Sequence, residues 1–501
     1  MTILQLSLLL FLSASLPSAA GLNLQSPESQ LDGIKAQTNL GDGDRPANVL
    51  FIIIDDASVR SVGASGGEFA QTPNIDALAA RGVVVENAYH MGAFSGAICT
   101  VSRAMILTGR TVWSITPGKS GYGGTANLQT DDVLMPELFR SRGYQTFGTG
   151  KWHNGNTALM RCFERAEAIA GGMLPYNAKD HGGAKNPAID LGHRNPKVRR
   201  FDAEQNKLVS YQAQGWSTDV YFDCAEKFLQ EQRDDDKPFF MYLSTSAPHD
   251  PRHVAAEYLK PFVDADIPLH RNHLEVHPFD SGDMKVRDEM VYPAPHDAEQ
   301  VQREFAIYLA MVAHIDARIG RLLALLEKQG ELENTLIVFT SDHGLSMGEK
   351  GLMGKQNLYE ASWRVPMIVS GPTVPQAKRV QGFAYLHGIY PTLCDLLGMP
   401  TPEHAKEFSF AKMLQENSAG QEQVVGVYTP NASSKRGVRS IRQGRWKLIH
   451  YLHNRKLQLF DLQSDPWELE NLADDSAHAE TVKKLAASLT TWMENNNDPQ
   501  L

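Results

Sequence analysis

The chain has 501 residues, of which 42% are apolar and 21% charged, with a formal net charge of −10. That length exceeds one small core and implies a large domain joined to a smaller one, and the composition excludes a disordered chain. The negative charge argues against a nucleic-acid binder, which needs a net basic face, while leaving room for local basic pockets that accept an anionic substrate.

Residues 1–20 carry an apolar run centred on Leu6 to Leu16, followed by Ser18 and Ala20 at the −3 and −1 spacing of a cleavage site. Although Lys and Arg are missing ahead of the run, it is too short for a comfortable membrane span. It reads as a secretory signal peptide, which places the protein outside the cell or in the periplasm. No later run is long enough for membrane insertion. Residues 21 to about 45 are a polar lead-in.

Asn48–Ile54 is a continuous apolar run, the pattern of a strand buried on both faces of a parallel sheet, with Asp55 and Asp56 at its carboxyl end. Further on, Cys99-Thr-Val-Ser-Arg103 precedes a helical pattern from Ala104 to Arg110, which puts Arg103 near a first helical turn. A cysteine at a helix start can be an activated thiol. A strand around Tyr144–Gly148 leads into Gly150-Lys151-Trp152-His153. Residues 154–214 have little periodicity and read as a long insertion loop, in which Arg194, Lys197, Arg199 and Arg200 cluster.

Thr218 can cap a helix running to about Gln232. The strand Pro238–Ser244 and then Pro248-His249 follow. A second loop, rich in His, Pro and Asp, spans about 260–295. A long helix from about Gln302 to Gln329 precedes the strand Thr335–Thr340, which ends in Ser341-Asp342-His343-Gly344, and the Gly-flanked loop Gly351–Lys355 comes next. Past residue 420 the pattern changes to short strands at Val424–Tyr428, Ser440–Tyr451 and Lys456–Leu462, then a helix from Ala477 to Glu494. This predicts a large domain over 45–420 and a small α+β subdomain over 421–501.

Alternating strands and helices imply an α/β fold with a large, mostly parallel sheet flanked by helices. Ligands of such sheets bind beyond the carboxyl ends of the strands, where the polar clusters fall. Carboxylates converging at one edge repel unless a cation sits among them, and oxygen-rich ligation favours calcium or magnesium. Four cysteines, Cys99, Cys162, Cys224 and Cys394, are too few for a disulfide scaffold and have no zinc-site spacing.

These segments, with Thr72-Pro-Asn-Ile-Asp76, Thr108-Gly-Arg110, Trp446-Lys-Leu-Ile449 and Leu459-Phe-Asp461, stand in an order and spacing that resemble the type I sulfatases of the alkaline phosphatase superfamily, from about Asn48 to the C-terminus. The resemblance implies an alkaline phosphatase-like fold and hydrolysis of sulfate monoesters. Asp55, Asp56, Asp342 and His343 match calcium ligands, His343 standing where many members have Asn. Cys99 matches the cysteine that a formylglycine-generating enzyme oxidises to formylglycine, which also reaches the metal. Arg103 and Lys151 match cations that hold the formylglycine and the sulfate. His153 matches the partner of the formylglycine hydrate, and His249 and Lys355 match the contacts to the sulfate and its leaving oxygen. Conversion of Cys99 would leave three cysteines and at most one bridge.

The family's Cys-x-Pro-x-Arg pattern departs here at Val101, a β-branched residue that also favours extended backbone. The chemistry implied is attack on sulfur by one hydroxyl of the hydrated aldehyde amid fixed positive charge, with the second hydroxyl providing the route by which sulfate leaves. A secreted enzyme of this kind meets sulfated polysaccharides, so a sulfated saccharide is the expected substrate, with smaller sulfate esters as the alternative. The basic cluster at residues 194–200 is then either ordinary solvated surface or an outer subsite for a second anion. Two other readings accompany this one: a phosphoester or phosphonate hydrolase of the same superfamily, and a catalytically silent glycan binder with Cys99 unmodified.

Overall fold

The computed structural model describes residues 46–115, 128, 132–174, 192–416, 418–431 and 434–500. The expected signal peptide lies outside the described residues. In chain order the strands are β1 (Asn48–Ile54), β2 (Gly82–Tyr89), β3 (Gly92–Ala93), β4 (Gln145–Lys151), β5 (Arg165–Ala170), β6 (Lys197–Asp202), β7 (Lys207–Gln212) and β8 (Phe239–Ser244). They continue with β9 (Thr335–Ser341), β10 (Arg364–Val365), β11 (Met367–Ser370), β12 (Lys378–Tyr385), β13 (Gln423–Tyr428), β14 (Val438–Gln443), β15 (Trp446–Tyr451) and β16 (Lys456–Asp461).

The main sheet runs β10-β2-β11-β9-β1-β8-β4-β5-β6-β7, with β12 paired to β2. It is mixed. The centre, β9 through β5, is parallel, while β11 joins β9 and the β6–β7 hairpin joins β5 in antiparallel fashion. Side chains of a strand alternate between faces, and β1 shows the consequence. Leu50, Ile52 and Ile54 enter one core with residues of the Pro73–Ala80, Ser217–Lys227 and Ala298–Lys328 helices. Val49, Phe51 and Ile53 enter a second core with residues of the Met135–Ser141, Asn156–Cys162 and Ile389–Leu396 helices. The sheet is therefore covered by helices on both faces, the α/β arrangement expected from the continuous apolar strand at 48–54.

A second sheet, β16-β15-β14-β13-β3, is antiparallel except that β3 pairs parallel with β13. Leu485, Leu489 and Met493 of the Ala479–Asn495 helix cover its Val425, Ile441, Leu448 and Leu459. Buried Lys447 ties this sheet to Glu360 at 3.0 Å and Glu468 at 2.7 Å.

Three expectations change. Residues 154–214 are not one loop. Their described part holds the Asn156–Cys162 helix, β5, β6 and β7. The hairpin lies at the sheet's edge and is half exposed, so its Lys and Arg residues hid the alternation by which strands are recognised. The Ser440–Tyr451 run is two strands, β14 and β15, turned at Gly444, whose φ of 54° suits glycine. The helix after Cys99 begins earlier, at Ile98, so Cys99 sits in its first turn and Arg103 in its second. Val101 there is fully buried in the apolar cluster between the two sheets, and tertiary packing overrides its extended preference. All four cysteines are free thiols.

Candidate active site

Four neighbouring parallel strands, β9, β1, β8 and β4, end at one edge of the main sheet. Asp342 and His343 follow β9, Asp55 and Asp56 follow β1, and His249 comes from the loop after β8. Lys151 closes β4, with His153 just beyond it. The Ile98–Thr108 helix brings its N-terminal turn, and hence Cys99, to the same place. A helix N-terminus carries partial positive charge, which favours an anion there.

Cys99 is the point of convergence. His343 Nε2 is 3.1 Å and Lys355 Nζ 3.2 Å from its Sγ. His153 lies beside the same thiol and helps to lower its pKa. Lys355 also donates to Asp56 Oδ1 at 2.8 Å, and Lys151 Nζ donates to Asp55 Oδ2. His249 Nε2 faces Asp56 Oδ2 at 3.9 Å. Of the ten residues expected to form the site, Asp55, Asp56, Cys99, Lys151, His153, His249, Asp342, His343 and Lys355 are thus brought together.

Arg103 lies among them, wholly buried. Its Nε donates to Asp342 Oδ2 at 2.8 Å, and its Nη1 donates to the Lys151 carbonyl at 2.9 Å and Ser244 Oγ at 2.7 Å. It braces a carboxylate and the backbone that carries Lys151.

Burial pushes the Cys99 thiol up, but Lys151, Lys355 and His343 outweigh it and hold the thiol well below its ordinary value. Burial raises Asp55 to about 7 against the pull of Lys151. Asp56 feels the same burial, yet His249, Lys355 and His343 keep it below the usual carboxylate range. Burial would lower both histidines; Asp56 instead lifts His249, and Asp342 lifts His343, each to about 9. These are the marks of acid and base groups packed into a dry cleft.

Asp55, Cys99, Asp342 and His343 each offer one ligand atom, all within 4.8 Å of one another. Asp55 Oδ1 is buried without a hydrogen-bond partner. A buried oxygen that lacks a donor, beside a second carboxylate, is where a cation would be held, and carboxylate oxygens suit a hard divalent ion. The side chains present therefore fit a metal of the calcium or magnesium type.

Two of these residues hold left-handed backbone, Asp56 at φ 68° and His153 at φ 61°, which is uncommon outside glycine and clusters at functional sites. Tyr308 secures the first. Its hydroxyl donates to the Asp56 carbonyl and accepts from the Ser58 amide, both at 2.7 Å. Sequence reasoning missed Tyr308; the available signal was a hydroxyl on the buried stripe of an otherwise apolar helix. Ser244 was missed too, as the last residue of a buried strand.

Gly150 has φ 87°, and a Cβ there would lie 1.5 Å from the Ser244 carbonyl oxygen. Only glycine lets β4 pass β8 this closely before delivering Lys151. Gly150→Ala is expected to cost at least about 2 kcal/mol in chemical denaturation and to remove activity, since strain and overpacking add at one atom. Unchanged stability would mean that the strand can shift.

A family model described as "Sulfatase" matches residues 47–399. One described as "N-sulphoglucosamine sulphohydrolase, C-terminal" matches residues 348–495. An N-acetylglucosamine-6-O-sulfatase of Bacteroides thetaiotaomicron is 27% identical, with 90% of this chain and 87% of the relative covered. A choline-sulfatase of Rhizobium meliloti is 29% identical over 85% of this chain and 82% of its own. One similar solved structure, a complex with its substrate D-glucosamine-2-N,6-O-disulfate, has a TM-score of 0.71 at 26% identity and covers 91% of this chain and 99% of its own. A phosphonate monoester hydrolase of Agrobacterium radiobacter, at TM-score 0.66 and 22% identity over 90% of this chain and 96% of its own, shares the fold. With most of the chain matched by the family model and the strand-end cluster in place, this chain belongs to the sulfatase family and is a sulfuric ester hydrolase.

Proposed function

We propose that the protein removes sulfate from a sulfated carbohydrate, with calcium held by Asp55, Asp56, Asp342, His343 and residue 99, and with Cys99 converted to formylglycine. The carrying observation is the convergence on one buried thiol of Lys355 at 3.2 Å, His343 at 3.1 Å and His153, beside the Asp55 and Asp342 carboxylates, whose ligand atoms lie within 4.8 Å of one another and of the thiol. A saccharide substrate is supported by the N-acetylglucosamine-6-O-sulfatase relative and by the disulfated glucosamine bound in a similar structure.

The hydrated formylglycine supplies a hydroxyl nucleophile, and the bound calcium supplies Lewis-acid charge that favours its ionised form. The protein's side chains do the rest. Lys151 and Lys355 place fixed positive charge against the sulfate oxygens, where water is excluded and charge counts most. Arg103 keeps Asp342 and the Lys151 backbone in register beneath them. Asp56 holds Lys355 protonated against the effect of burial, so it acts as a charge. His249, protonated near neutrality, gives its Nε2 proton to the leaving oxygen. His153, which burial holds below the ordinary imidazole value, accepts a proton from residue 99.

The Cys99–Arg103 segment is helical and buried in the folded chain. A formylglycine-generating enzyme that reads an extended peptide would act before folding, with export directed by residues 1–20. Among the described residues no helix is long and apolar enough to cross a membrane. Residues 45–420 form the catalytic domain in this reading, and residues 421–501 the C-terminal subdomain. Assays on an aryl sulfate and the matching aryl phosphate, followed by a panel of sulfated saccharides and peptide mass mapping of the Cys99 segment, test it. Preference for the phosphate, or an unmodified thiol in fully active protein, would overturn it.

The hairpin narrows the substrate question. Arg199 Nη1 donates to Asn156 Oδ1 at 2.6 Å, and a Cβ on Gly171 would meet its Nη2 at 2.7 Å. A Cβ on the adjoining Gly172 would meet the His153 ring at 3.0 Å. Arg199 therefore borders the cleft. Arg200, one residue along the strand, faces the other way into a surface cavity with Glu167, Tyr211 and Lys227. Arg199→Ala is expected to raise KM for a multiply sulfated oligosaccharide about three- to tenfold, as for one exposed charge contact. A small aryl sulfate should be unaffected, and Arg200→Ala should change neither. Equal losses on both substrates would remove the outer subsite.

A further inference from the structure

His249 must point one ring nitrogen at the leaving oxygen, and its orientation is set by the peptide bond that follows it. His249 Nδ1 lies 2.7 Å from the Asp250 carbonyl, which can only accept, so Nδ1 carries a proton there and Nε2 is turned to the cleft and Asp56. The other carbonyl of this turn, that of His249 itself, receives His193 Nε2 at 2.9 Å. That fixes the His193 tautomer as well, with Nδ1 left to accept from Ser217 Oγ at 2.8 Å.

Ser217 opens the Ser217–Lys227 helix, and its amide donates to the His193 carbonyl at 2.6 Å. Beside it, a Cβ on Gly192 would stand 3.2 Å from Pro251 Cγ, so residues 192 and 193 pack directly on the 249–251 turn. His193 is buried. Its imidazole is a strut between a helix terminus in the core and the backbone of the leaving-group histidine. Burial holds it down to about 4, so it stays neutral and keeps one tautomer through the working range.

We propose that His193 is a positioning residue: by gripping the His249 carbonyl it sets the direction in which His249 presents Nε2 to the leaving oxygen. This rests on His249 being the acid for that oxygen. A proton donor matters most when the departing alcohol is a poor leaving group and little when it is a good one. Displacing His249 slightly should therefore sort substrates by leaving group, whereas a general loss of folded enzyme would lower all of them alike.

The test uses 4-nitrophenyl, phenyl and 4-methoxyphenyl sulfate with the wild-type enzyme and the variants His193→Ala, His193→Gln, Ser217→Ala and His249→Ala. His249→Ala should steepen the dependence of kcat on phenol acidity. His193→Ala should steepen it in the same direction, losing about tenfold on the methoxy ester and about twofold or less on the nitro ester, since a misplacement of about 1 Å can cost up to 10²-fold. His193→Gln, which restores a donor at the Nε2 position, should recover most of the loss. Ser217→Ala, the mildest change, should show a smaller shift of the same sign and serves if His193→Ala does not fold. A uniform loss across the three esters in the His193 variants, or an unchanged slope in both His193→Ala and Ser217→Ala, would overturn the assignment of His193. An unchanged slope in His249→Ala would overturn the leaving-group role of His249 itself, and the positioning role with it.

Discussion

Cys99→Ser, produced in a host that converts only cysteine, should lose turnover by at least about 10³-fold, as expected when a nucleophile is removed from an otherwise intact site. The fold should survive. Cys99 is buried in the first turn of its helix, serine is nearly the same size, and Lys355 and His343 stand ready to hydrogen-bond a hydroxyl as they do the thiol. The melting temperature should change little, and the mass of the peptide containing residue 99 should show no aldehyde. Wild-type turnover in this variant would place the nucleophile elsewhere and would sink the formylglycine reading.

The second large effect concerns the metal. Asp55→Asn should reduce bound calcium from about one per chain to near zero and abolish activity, because Asp55 supplies a buried carboxylate oxygen that no protein group hydrogen-bonds. Binding to the native state alone stabilises it, so millimolar calcium should raise the melting temperature of wild-type protein and not that of Asp55→Asn. Asp342→Asn should lose calcium too, and stability besides. It leaves Arg103, buried and hydrogen-bonded to Asp342 at 2.8 Å, without its main carboxylate, and breaking a buried pair typically costs about 3–5 kcal/mol. Asp55→Asn likewise takes the buried carboxylate from Lys151, so calcium content and the calcium-dependent rise in melting temperature, rather than stability alone, report metal binding in both variants. Full turnover of metal-stripped wild-type enzyme would refute the assignment.

Much of this was legible in the sequence because buried parallel strands are marked by composition. The apolar runs 48–54, 238–244 and 335–340 are strands, and Asp55-Asp56 and Asp342-His343 sit just past their ends, where ligands of such sheets bind. Lys151, His153, His249 and Lys355 were found through the motifs that accompany them. Each motif is local, so one sequence can display it.

Other features were decided by tertiary structure. Cys99 lies in a helical turn because Val101 and its neighbours are buried between two sheets, where packing outweighs local preference. The hairpin at residues 197–212 is a strand pair because it adds to a sheet edge formed by distant residues, and edge strands need no apolar alternation. Its pleat sends Arg199 toward the cleft and Arg200 away, a distinction that a cluster of basic letters does not contain. Tyr308, Ser244 and His193 act through hydrogen bonds to backbone or side chains far along the chain. The residue types and their spacing determined which chemistry this protein can carry. Which side chains brace that chemistry was decided by the packing of remote segments, because a hydrogen bond across 56 residues, such as His193 to His249, leaves no periodicity in the sequence between them.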